Sequence, residues 1–215
     1  MPSNETERLR AAREVVQQYL RRERPLSALV VVLAVSVFVG TYVVTSFLPA
    51  VVVGVASLIA VRAPVFRTAG TIRLRTDDEP ETVLEEFTSS TPPVLALQWG
   101  IADDVTTDDG VATYTVSYLF GLRSTEVTVD THVDTTPDGT RLVESVATTA
   151  GQPWGTYRST ITETDDGTVV DVEYTSDRRF GLRRVPQQRV AHRYRDDALG
   201  TQGYEVVERD TQFGL

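Results

Sequence analysis

The sequence predicts an α+β protein in which an N-terminal helix and a transmembrane helical hairpin precede an antiparallel β-meander with a long C-terminal helix. Three observations predict it. No charged residue stands between Arg24 and Arg62. From Val94 onward apolar and polar residues alternate in runs separated by Asp-Gly dipeptides. Pro186 then opens a stretch whose apolar residues recur at helical spacing. The 215 residues allow one domain with an appendage and exclude a large multidomain enzyme.

Residues 1–24 form the first predicted element. Asn4 and Glu7 are spaced as a capping box, and Leu9, Ala12, Val16, Tyr19 and Leu20 recur at helical intervals. With Arg8, Arg10, Arg13, Arg21, Arg22 and Arg24 this is a basic amphipathic helix, expected to orient the segment after it or to lie on anionic lipid.

Residues 25–67 are the predicted membrane hairpin. The 36 residues from Leu26 to Val61 exceed the roughly 20 of one span and suit two short ones. They divide near 26–44 and 49–66, with Thr45 to Pro49 as the turn. Arginines flank both outer ends, which predicts a multi-pass protein of the cell membrane, with two spans and both termini cytoplasmic. Arg21-Arg22 invites a twin-arginine signal instead, but Arg24 and Pro25 stand where such a signal needs apolar residues.

Residues 70–215 make the predicted cytoplasmic domain. Thr71 to Arg75 alternates as a strand, and Glu79 to Phe87 places Val83, Leu84 and Phe87 on one face of a helix. Six strands are then predicted. Leu95, Leu97, Trp99 and Ile101 share a face of the first; Ala112, Tyr114, Val116, Tyr118 and Phe120 of the second; Val127, Val129 and Val133 of the third. The others run near Leu142 to Thr148, Trp154 to Glu163 and Thr168 to Tyr174. Asp109-Gly110, Asp138-Gly139 and Asp166-Gly167 suit the hairpin turns because both residue types tolerate positive φ. A helix from Pro186 to about Leu199 carries Val190, Ala191, Tyr194 and Ala198 on its apolar stripe, and Tyr204 to Arg209 reads as a last strand.

This order of strand, helix, six-stranded meander and long C-terminal helix resembles the helix-grip fold of the START and polyketide-cyclase-like superfamily, over roughly residues 70 to 200. The resemblance is one of element order and implies a cavity for lipids or other hydrophobic ligands between sheet and helix. The short first helix and the strand after Gly203 depart from that pattern.

Charge and composition narrow the function. The net charge of −9 divides into +6 over residues 1–75 and −15 over residues 76–215. Such an acidic domain repels polyphosphate, so nucleic acid is not an expected partner. All 21 basic residues are arginine, and the lysine-free, acidic composition resembles that of salt-in halophilic archaea. Acidic pairs therefore read as a salt-adapted surface. The absence of cysteine excludes disulfides, thiolate metal sites and a cysteine nucleophile.

No phosphate loop, nucleophile elbow or zinc motif occurs, and no cofactor, metal or catalytic residue is expected. His132 and His192 read as surface histidines too far apart to share a metal. Glu144 shares a predicted strand face with Leu142 and Val146 and is expected to pair with an arginine such as Arg158. Trp99, Tyr114, Tyr118, Tyr157 and Tyr174 are the candidate ligand-lining residues, with solid core as the alternative. The resulting expectation is a non-catalytic, membrane-anchored module that binds a hydrophobic ligand or lipid, with the bilayer as a partner. The alternative is a tethered adaptor that presents a ligand-free domain to a protein partner.

Overall fold

The computed structural model describes residues 2–64, 66–118, 122–137, 139–179, 181 and 185–214; the side chains of 2–5, 22–28, 30–31, 61–62, 118, 185–190 and 213 also lie outside the described set. Phe120 of the expected second strand and the aspartate of the Asp138-Gly139 turn lie outside it as well.

Helix α1 (Pro2–Val44) is followed by α2 (Phe47–Arg62) and strand β1 (Arg67–Thr76). Helix α3 (Pro80–Thr88) begins with Pro80 in its first turn, where a missing N–H costs nothing. A 3₁₀ turn (Pro93–Leu95) leads into the short α4 (Ala96–Trp99). The meander is β2 (Asp104–Asp108), β3 (Val111–Tyr118), β4 (Arg123–Thr135), β5 (Arg141–Thr149), β6 (Gln152–Thr164) and β7 (Gly167–Ser176). Helix α5 (Val185–Thr201) and strand β8 (Glu205–Gly214) complete the described chain.

The strands form one open antiparallel sheet in the order β2-β3-β4-β5-β6-β7-β1-β8. Asp109 and Gly110 both have positive φ at the β2–β3 hairpin, as do Ala150 and Gly151 at β5–β6. The primed turns that such dihedrals allow match the strand twist. Strand β8 lies at the sheet edge and pairs with β1 from Arg67↔Gly214 to Arg75↔Glu205.

One sheet face is covered. Ile72, Leu74, Val143, Ile161, Val170 and Val172 pack with Phe87 of α3, Leu199 of α5 and Tyr204. A second cluster joins Leu95, Ala96 and Trp99 to Ala112, Tyr114, Val127 and Val129. The other face carries cross-strand ion pairs in register, Arg158 with Glu144 at 2.7 Å and Arg73 with Asp171 at 2.7 Å. Glu144 thus pairs with Arg158 as expected, but the buried face of β5 is Val143, Ser145 and Ala147, not Leu142 and Val146.

Four expectations are corrected. The first concerns the membrane. Among the described residues no helix is long and apolar enough to cross one. The expected two-span hairpin of residues 25–67 and the bilayer as partner are therefore unsupported, and the expected two-span cell-membrane location is overturned. The uncharged run is divided by a break at Thr45-Ser46, and α2 keeps only 16 residues, about 24 Å against the ~30 Å of a hydrocarbon core.

Second, the expected helix of residues 1–24 is not a separate one: from Pro2 onward it is the start of α1, which packs on the sheet domain. Ala12 and Val16 are fully buried, Tyr19 meets Tyr194 of α5 with ring centroids 5.7 Å apart, and Arg8 bonds Asp78 at 2.9 Å.

Third, Leu95 to Ile101 is not a strand. Pro92 and Pro93 favour a helical start, and the consecutive burial of Leu95, Ala96, Leu97, Gln98 and Trp99 is beyond a strand with one covered face. The sixth strand of the meander is β2 instead. Fourth, His192 is no surface histidine: it is half-buried on α5, with Arg209 Nη1 of β8 3.4 Å from its Nδ1.

Candidate functional site

The two core clusters meet at Val94 and Tyr157, which pack against both. A cavity of about 120 Å³ lies beside this seam, between the sheet and α4 and α5. Strands β6 and β7 supply Tyr157 and Tyr174, which stand opposite each other in register and stack with centroids 6.4 Å apart at 26°. Gly70, opposite Tyr174 on β1, makes room for that ring: a Cβ there would stand 2.7 Å from the Tyr174 hydroxyl oxygen. The same hydroxyl bonds Thr211 Oγ1 of β8 at 2.9 Å, so the extra edge strand helps to hold the ring.

Gln98 enters from α4 and donates from Nε2 to the Tyr157 hydroxyl at 3.1 Å. Gln98 is 8% exposed and Thr68 of β1 is 6% exposed, and on these two lining residues Gln98 Oε1 and Thr68 Oγ1 have no hydrogen-bond partner among the described residues. Buried polar atoms are rarely left so, because each forfeits its bond to water. A smaller apolar recess of about 20 Å³ shares Tyr157, Tyr174 and Arg195 with the cavity and continues it toward Ile72, Val172 and Leu199.

The mouth is basic. Arg178 and Arg179 follow β7, and Arg195 reaches across from α5. Arg178 Nη2 donates to the Thr149 carbonyl at 3.0 Å, which fixes it near the opening. No aspartate or glutamate is among the described residues that line the cavity. Nor is there a cysteine or histidine among those residues.

The five sequence-predicted lining residues separate here. Tyr157 and Tyr174 come together at the cavity. Trp99 is fully buried in the second cluster, its Nε1–H donating to the Pro92 carbonyl at 2.9 Å. Tyr114 is also fully buried there, and burial pushes its phenol pKa up. The Tyr118 side chain lies outside the described residues. The sequence reading missed Thr68, Gln98, Arg178, Arg179 and Arg195. The Arg178-Arg179 pair in a domain of net −15 was a usable signal, and Gln98 between Leu97 and Trp99 was another once that segment is helical.

A scan of protein-family models and a search of curated proteins found no match. Solved structures that resemble this chain include the Mll3558 protein from Rhizobium loti, 18% identical over 63% of this chain and 96% of that one, with a TM-score of 0.42. A conserved protein from Geobacillus kaustophilus is 12% identical over 64% of this chain and 92% of its own, at a TM-score of 0.39. Ara h 8.0201 is 12% identical over 61% of this chain and 96% of its own, at 0.38. Likenesses this distant carry no conclusion about ligand or activity.

Proposed function

We propose that this chain is a non-catalytic module that binds a small hydrophobic ligand between sheet and C-terminal helix, in the manner of a helix-grip domain. The observation that carries the reading is the cavity beside Tyr157 and Tyr174, into which Gln98 and Thr68 bring buried polar atoms that a ligand would satisfy. The element order supports it: β1, helices, a six-stranded meander and α5 over the covered face. Stacked aromatic walls set beside polar groups are how ligand pockets combine apolar affinity with orientation.

The test uses the full chain, because Ala12 and Val16 of α1 belong to its core. A neutral fluorescent probe such as 1-aminoanthracene is titrated at molar salt into the wild-type protein and into Ala147→Leu, which extends a cavity-lining side chain into the space. Saturable uptake by wild type, weakened at least tenfold in the variant with the far-UV spectrum unchanged, is expected. Equal uptake by both, or none by wild type, contradicts the reading.

A second reading, a ligand-free adaptor for a protein partner, is favoured by one observation: Leu33, Phe47, Leu48, Val52 and Ile59 of the α1–α2 hairpin are exposed. A wild-type chain that takes up no probe moves the weight to it.

A further inference from the structure

The size, charge and orphaned groups of the cavity specify a ligand more narrowly than hydrophobicity does. This inference rests on the binding function proposed above. A volume of about 120 Å³ is close to the ~150 Å³ that accommodates a benzene ring, and is small for a long acyl chain. The flat faces beside it, Tyr157, Tyr174 and Trp154, suit a planar partner, since offset aromatic stacking adds attraction beyond burial.

The mouth asks for an anion. Among the described arginines after residue 76, Arg141, Arg158 and Arg209 are held in ion pairs, with Glu81, Glu144 and Asp196. Arg123, Arg178, Arg179, Arg193 and Arg195 have no such pair among the described residues, and three of them, Arg178, Arg179 and Arg195, line this one opening. A guanidinium without a carboxylate partner, placed beside an aromatic slot, is a receptor for a planar two-oxygen anion.

The inner end asks for a hydroxyl. Gln98 Oε1 only accepts, so it calls for a donor. Turning the amide would exchange the roles, leaving Nε2 to call for an acceptor. A hydroxyl serves in either orientation because it both donates and accepts, and Thr68 Oγ1 offers it a second partner.

We propose that the cavity binds an aromatic hydroxy-carboxylate of single-ring size, its carboxylate among Arg178, Arg179 and Arg195, its ring against Tyr157 and Tyr174, and its hydroxyl on Gln98. The probes are 4-hydroxybenzoate, benzoate, the neutral 4-hydroxybenzamide, and decanoate as an anion with an acyl tail. Each is titrated calorimetrically into the full chain at molar salt, where charges in direct contact still interact while distant ones are screened.

The expected order is 4-hydroxybenzoate first, with the amide at least tenfold weaker and benzoate several-fold weaker. Arg179→Gln, an exposed change, weakens the acid about tenfold and leaves the amide unchanged. Gln98→Met removes the preference for 4-hydroxybenzoate over benzoate, and rescue by Gln98→Asn separates that effect from misfolding. Decanoate or the amide binding as tightly as 4-hydroxybenzoate overturns the proposed ligand class while the hydrophobic-ligand reading stands. Failure of all four probes, with 1-aminoanthracene still bound, overturns this inference alone; failure of 1-aminoanthracene as well removes both.

Discussion

His192 is the residue whose environment departs furthest from what its place in the sequence suggested. Its ring is half-buried between α5 and β8, and desolvation, reinforced by the charges of Arg195 and Arg209, pushes its pKa down to about 4 from the usual 6.5. The unfolded chain therefore takes up a proton below pH 6.5 that the folded chain refuses until about pH 4. Stability from this group is complete above pH 6.5 and is lost as pH falls between those values. Urea unfolding of wild type and His192→Gln across this range checks it: the variant is expected to lose less stability on acidification, and parallel curves would show that burial leaves the imidazole unshifted. The opposite case is Glu144. Alternation groups it with Leu142 and Val146, which form the outer and not the buried face of its strand, yet its pairing with Arg158 needs only two facing positions on adjacent strands.

At the scale of elements, α1 decides more than its basic sequence suggested. A helix with Leu9, Ala12, Val16 and Tyr19 on one face reads equally well as a lipid-surface helix or as a layer of a core. The structure makes it a layer, seated against α4 and α5. The seat is tight at Gly100, where an added Cβ would stand 2.5 Å from the Ala96 carbonyl oxygen of α4 and 2.8 Å from Val16 Cγ2 of α1, so a side chain there strains both. Gly100→Leu is therefore expected to lift α1 off the domain. Amide exchange in residues 9–19 should rise by an order of magnitude or more while β4 to β7 stay protected, and unchanged protection of α1 would show that its docking does not depend on this contact. Arg8 secures the N-terminal end through Asp78 and, at 3.5 Å, Glu86, which also accepts a hydrogen bond from the buried Tyr204 hydroxyl. The strand expected over Leu95 to Ile101 fails for a different reason: its apolar residues alternate with period two, but Pro92-Pro93 before the run and a buried Gln98 inside it belong to a helix packed on several sides.

For the whole molecule, the meander was legible because its turns are local: Asp109-Gly110 specifies a hairpin from two residues, and antiparallel neighbours in sequence become neighbours in the sheet. What no local pattern carries is the non-local closure. The pairing of β1 with β7 and β8, the crossing of α1 onto α5, and the convergence of Thr68, Gln98 and Arg195 on one cavity bring together residues far apart in the chain. The membrane hairpin failed for a related reason. Counting uncharged residues measures how much apolar chain there is, not how the helices divide it, and the break at Thr45-Ser46 leaves α2 short. Tyr157 and Tyr174 could be named from the sequence as candidate lining because alternation put them on the covered face, but only the three-dimensional arrangement separates them from Trp99 and Tyr114, which fill the core nearby.

The central claim is that this fold holds a small hydrophobic molecule between α5 and the sheet. Native mass spectrometry of the full chain, purified without denaturant at molar salt and exchanged into a volatile salt immediately before analysis, tests it most directly. A second species is predicted, heavier by one ring-sized organic molecule per chain and absent from the Ala147→Leu protein. A single species at the mass of the polypeptide, unchanged after incubation with excess 1-aminoanthracene, would contradict it.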